Sequence, residues 1–166
     1  DPTTTGTAQR GNPNGHIIRW AEDGGNPAAT TLKWDIFLFG ARSTADPANV
    51  NVSGLSASND FSSPDGLWFG SSGILWIQTD ISNSSQNLAS RGYDNIKNNM
   101  MLAALPHTGE VKRFLTGPRG CEITGVTMTP DRRTMFVNVQ HPGESTTYWN
   151  TLAGGAPTTD FPSRVS

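Results

Sequence analysis

The chain has 166 residues, of which only 34% are hydrophobic, with 18 glycines, 11 prolines and a formal net charge of −2. That balance implies short strands separated by many turns, and a near-neutral charge without a basic run excludes the electrostatic term that non-specific nucleic-acid binding requires. No apolar run approaches the ~20 residues of a membrane span, and the single cysteine, Cys121, leaves the redox compartment open.

In chain order, residues 1–15 carry Gly, Pro, Asn and Thr without periodicity, and a flexible N-terminal segment is expected. His16 to Glu22 is the first strand candidate, followed by a turn at 23–27. Thr31 to Gly40 alternates Leu32, Trp34, Ile36 and Leu38 with Phe37 and Phe39, the pattern of a strand buried on both faces toward its end. Residues 41–60 fit either a long connection or a short helical insert. A hairpin then pairs Leu67–Phe69 with Ile74–Ile77 through a turn built on Gly73, and residues 81–99 read as a long loop. Met100 to Leu105 and Glu110 to Leu115 are two further strands. A second hairpin pairs 123–128 with 135–139 through a turn built on Asp131. Residues 143–166 return to coil, with Tyr148, Trp149 and Phe161 as docking points.

Eight short strands and no amphipathic helix of three turns point to an all-β protein of antiparallel hairpins. The two main hairpins lie roughly 60 residues apart and resemble one another, as blades of a β-propeller do. Residues 16–142 are therefore expected to form part of a propeller, in a chain read as a fragment of a longer one. Trp20, Trp34, Trp68 and Trp76 have strand spacing and are expected in the core.

Nucleophile elbows, phosphate-cradling P-loops and paired-histidine zinc motifs are absent from the sequence. Polar residues at strand ends remain. Asp65, in Pro-Asp-Gly, reads in isolation as a turn residue capping its own backbone. Glu122, where an apolar strand begins, is either a ligand for a hard cation such as calcium or iron, or the partner of Arg119. Arg119, held between Pro118 and Gly120, is either a planar fork for phosphate or a solvated side chain. Cys121 is a soft metal ligand or, more commonly for a lone cysteine, a small core residue. His16 and His107 read as structural, and His141 as an outside ligand candidate.

The segments GHIIRW, KWDIFLFG, FSSPDGLWF, LWIQTD and GPRGCEITGVTMTPDRRTMFVNVQHPGE occur in this order. With them the sequence resembles the C-terminal half of the PhoX-type alkaline phosphatases, a family of large secreted bacterial enzymes, from Asn12 to Glu144. The resemblance implies a six-bladed propeller whose calcium and iron ions serve the hydrolysis of phosphate monoesters, in the periplasm or outside the cell. It implies Asp65 and Glu122 as metal ligands and Arg119 as the phosphate contact. Where the family reads PDGLWFD this chain has Gly70, so a carboxylate is missing there. Such a piece is expected to be inactive alone and to associate as a homo-oligomer. A non-catalytic binding or scaffold module and a calcium-dependent lactonase or esterase are the alternatives.

Overall fold

The computed structural model describes residues 12–48, 50–94, 96 and 98–142. Eight strands run in chain order: β1 (His16–Glu22), β2 (Leu32–Phe39), β3 (Pro64–Phe69), β4 (Leu75–Thr79), β5 (Met100–Ala104), β6 (Val111–Thr116), β7 (Glu122–Met128) and β8 (Met135–Gln140). Two single 3-10 turns, Asp23–Gly25 and Ala89–Arg91, are the helical segments among the described residues. All pairings are antiparallel: β1 with β2, β3-β4-β5-β6 as a four-stranded meander, and β7 with β8. The all-β antiparallel expectation is met. Residues 41–60 form a connection, closed by a bridge between Ala41 and Phe61 and anchored where Arg113 donates to the main chain and carboxylate of buried Asp60 (2.8 and 3.1 Å).

The hairpin turns follow from their residues. Gly73 takes φ 80°, which a side chain would resist, and its N–H returns to Gly70 O at 2.9 Å. In the last hairpin the Asp131 carboxylate accepts from the Arg133 N–H (3.1 Å) and the Thr129 hydroxyl, so a side chain holds the turn.

Alternation along the meander divides the core in two. Leu75, Ile77, Met100, Leu102 and Ala104 face one way, against Ile17 and Phe37 of the first hairpin and Phe61, Ile81 and Ile96 of the connections. Trp76 and Met101 face the other way, against Cys121, Ile123, Val126 and Val137 of the last hairpin. The meander is thus the middle layer of three. Trp76 is buried and Trp68 partly so, as expected, but Trp20 and Trp34 are 57% and 64% exposed. They lie opposite one another near the turn of β1–β2, on a stretch that no described residue covers.

Every hairpin has a register shift close to its open end. The pairings Pro64↔Thr79 and Leu67↔Ile77 leave one extra residue on β3, and Ile123↔Val139 with Val126↔Val137 leave one on β7. In β1–β2 and β5–β6 the extra residue lies on the second strand instead, at Phe37 and Phe114. Such bulges re-aim side chains locally.

The open ends form a connected rim. Gly40 N–H donates to Gly15 O (2.9 Å), Ser63 N–H to Asn14 O (2.8 Å), Asp80 N–H to Ser63 O (3.0 Å) and Gly117 N–H to Asn99 O (2.8 Å). Residues 12–15, at the end of the segment expected to be flexible, are therefore tied to the body. Asn12 adds bonds to Gly15 O and Gly40 O, both 2.8 Å. Most of that segment, and all of 143–166 with Tyr148, Trp149 and Phe161, lie outside the described residues.

Candidate functional site

Three carboxylates and an imidazole gather on the rim. Asp65 is the second residue of β3, exposed and inside the bulge. A Cβ at the following Gly66 would meet the far end of the Gln78 side chain, which would have to move. With its amide nitrogen turned toward them, Gln78 bridges Gly66 O and Thr124 O at 3.1 Å each, joining β3 to β7. Asp80 follows the last residue of β4. Glu122 opens β7 and is half-buried opposite Gln140, and His141 comes next with φ 55°.

Their charges are coupled. The Glu122 carboxyl is raised above the ordinary range first by loss of water around it, then by the negative charges of Asp80 and Asp65. Asp80 is raised for the same first reason and then by Asp65. His141 opposes both shifts. Among the described residues, none of the three carboxylates accepts a side-chain hydrogen bond or enters an ion pair. Asp65 therefore does not cap its own turn, and Glu122 does not pair with Arg119. Asp80, Glu122 and His141 border a cleft of about 40 Å³ whose floor includes Asn99, Gln86 and Gly120.

Arg119 lies on the loop between β6 and β7, exposed and without a hydrogen bond or ion pair among the described residues. It is adjacent to the cleft-lining Gly120 but does not itself line the cleft. The loop is fixed: Gly120 takes φ 77° with its N–H on Gln86 Oε1 (3.2 Å), and a Cβ at Gly117 would stand 2.6 Å from Cys121 Sγ. Cys121 is a core residue. Burial pushes its thiol up to about 11, and Sγ donates to Pro118 O (3.0 Å), so the thiolate a soft metal needs is disfavoured.

Asp65 and Glu122, 57 positions apart in sequence (122 − 65), thus share one electrostatic cluster. Asp80 was not among the expected site residues. Only the Pro64↔Thr79 pairing, which sets it beside the start of β3, distinguishes it from an ordinary turn Asp. A carboxylate at position 70, as the resemblance implies for relatives, would lie elsewhere, because Gly70 sits at the far end of β3, against the Trp76 indole.

Uncompensated carboxylate oxygens beside an imidazole match hard cations in donor chemistry. Among the described residues, no three His, Cys, Asp or Glu side chains converge on one position that would hold a metal ion by themselves. The residues fit such ions in kind, as part of a ligand set.

Comparison with known families decides the relationship. The alkaline phosphatase PhoX family profile matches residues 2–143. The chain belongs to the PhoX family. A solved structure of Pseudomonas fluorescens PhoX in complex with vanadate, a transition state analogue, is 39% identical, with a TM-score of 0.68. The match covers 87% of this chain and 25% of that PhoX chain, so the present chain spans about a quarter of its relative. No match was found among curated proteins. Among the described residues of this PhoX chain, no helix is long and apolar enough to cross a membrane.

Proposed function

We propose that this chain supplies part of the catalytic centre of a metal-dependent PhoX phosphatase that hydrolyses phosphate monoesters of small molecules. The observation that carries the reading is the uncompensated cluster of Asp65, Asp80 and Glu122 on one rim of a PhoX-family chain. These carboxylates would hold hard cations of the calcium or iron type. When bound, such cations neutralise phosphoryl charge and polarise the oxygen under attack. Arg119, on a fixed loop and without a protein partner among the described residues, is available to bind a phosphate or vanadate oxygen bidentately. The vanadate complex of the Pseudomonas relative supports a phosphoryl-transfer site in this family.

In this reading the three stacked sheets are portions of a β-propeller, and 16–142 is the blade-forming region. The bulges support the arrangement: β3–β4 and β7–β8 share one pattern, β1–β2 and β5–β6 the other. The first hairpin then corresponds to the outer half of one blade, the meander to a whole blade and the last hairpin to the inner half of the next. By family, the working place is the periplasm or the medium.

Nitrophenyl phosphate hydrolysis by the longer protein tests the proposal. Asp65→Asn, Asp80→Asn and Glu122→Gln should each lower kcat/KM by about a hundredfold or more. Arg119→Ala should weaken vanadate inhibition without lowering Tm. A chelator should abolish turnover, and the 166-residue chain alone should have none. Unchanged rates in all three carboxylate variants would end this reading, and turnover of lactones in place of phosphate esters would favour the lactonase.

A further inference from the structure

Beneath the carboxylates lies a side chain that belongs to neither sheet ladder. Asn99, just before β5, is 1% exposed. Its Nδ2 donates to Ile81 O and to Cys121 O, both at 2.9 Å, while its Oδ1 accepts from the Ile81 N–H and from the Thr79 hydroxyl (3.1 Å). All four hydrogen-bonding positions of the amide are filled, so Asn99 has none left for a ligand. Ile81 follows Asp80, and Cys121 precedes Glu122. One planar group therefore clamps the residues adjoining two carboxylates that come from different sheets and repel one another. The Asn99 main-chain O also holds Gly117 (2.8 Å), at the start of the loop that carries Arg119. Gln86 reaches Ile81 O and Cys121 O only at 3.3 and 3.4 Å, a looser second fastening.

We propose that Asn99 is the positioning residue of the cation site, fixing the separation of the Asp80 and Glu122 carboxylates through Ile81 and Cys121. The inference rests on the cation reading above. No other side chain of similar size can replace it: Asp lacks the two donors, and Leu lacks all four bonds. Groups that orient metal ligands from behind typically account for 10–100-fold in metal affinity.

Terbium(III), a hard cation whose directly excited emission lifetime lengthens when protein ligands replace its water, is the probe, titrated into the metal-free longer protein. Asn99→Ser should bind it at least about tenfold more weakly than the parent. Ile77→Val, which removes a methylene from the other core layer, should lower Tm without changing the affinity. The decisive measurement is a double-mutant cycle: in a Glu122→Gln background, Asn99→Ser should have little further effect, because the separation it sets no longer matters. Should Asn99→Ser fail to fold, Gln86→Leu replaces it, with a smaller loss of the same sign. Parent-like affinity in the Asn99 variant, or losses that simply add in the cycle, would overturn the role of Asn99 alone. A longer parent protein that does not bind terbium would overturn the cation reading and this inference with it.

Discussion

A Cβ added at Gly70 would stand 3.1 Å from Nε1 of Trp76, and that indole N–H is buried without an acceptor among the described residues. The backbone at Gly70 is not in the left-handed region, so a side chain is conformationally acceptable there. Position 70 and the orphaned donor are thus neighbours. Gly70→Asp should give the indole its acceptor and stabilise the chain by about 1 kcal/mol. Gly70→Ala adds the same Cβ without an acceptor and should not. Thermal melts of the two variants check this, and an Asp variant less stable than the Ala one would refute it.

The rim carboxylates should cost stability when no cation is present. Both Asp80 and Glu122 have raised folded-state pKa values, so their protonated forms favour the fold. That stability is complete below the ordinary values of 3.8 and 4.5 and is lost as the pH rises through the raised ones. In chelator at pH 7, Glu122→Gln should therefore melt above the parent, and the difference should vanish toward pH 4. Added calcium should stabilise the parent more than the variant. A variant that melts lower at pH 7 without metal would contradict the sign.

Cys121 should be nearly inert. With the thiol at about 11, only about a thousandth is thiolate at pH 8, some two orders of magnitude less than for a free cysteine. Native-state alkylation by iodoacetamide should be slower by at least that factor, and denaturant should restore the ordinary rate. Rapid labelling of the folded chain would mean that the loop at 117–121 opens.

Trp20 and Trp34 offer a large apolar surface with no described cover, and the chain should self-associate through it. Light scattering of the parent and of the double variant Trp20→Ser, Trp34→Ser should show a shift toward monomer in the second. A monomeric parent at moderate concentration would remove the argument.

The same tryptophans mark how far the sequence could be read. Strand boundaries were legible because apolar alternation and the turn chemistry of Gly73 and Asp131 act within a few residues. Alternation tells which side chains share a face, not whether anything lies on it, and so Trp20 and Trp34 were placed inside. Asp65 and Glu122 stood out as carboxylates at strand starts. Asp80 did not, since a residue ending Gln-Thr-Asp is indistinguishable from any turn Asp until the Pro64↔Thr79 pairing brings it beside β3. Asn99 was hidden for a related reason: its partners, Thr79, Ile81 and Cys121, come from distant segments that only the folded chain brings together.

The surplus residue on β3 is Asp65 or its neighbour, and the one on β7 falls within three residues of Glu122, while the tight turns of the same hairpins are four or more residues away. A deletion of Gly66 or of one surplus residue on β7 would swing Asp65 or Glu122 to the opposite side of its sheet and leave the distant loop untouched. Rim chemistry in this architecture can therefore be rewritten by changing chain length by one, without altering the residues that fold the hairpin.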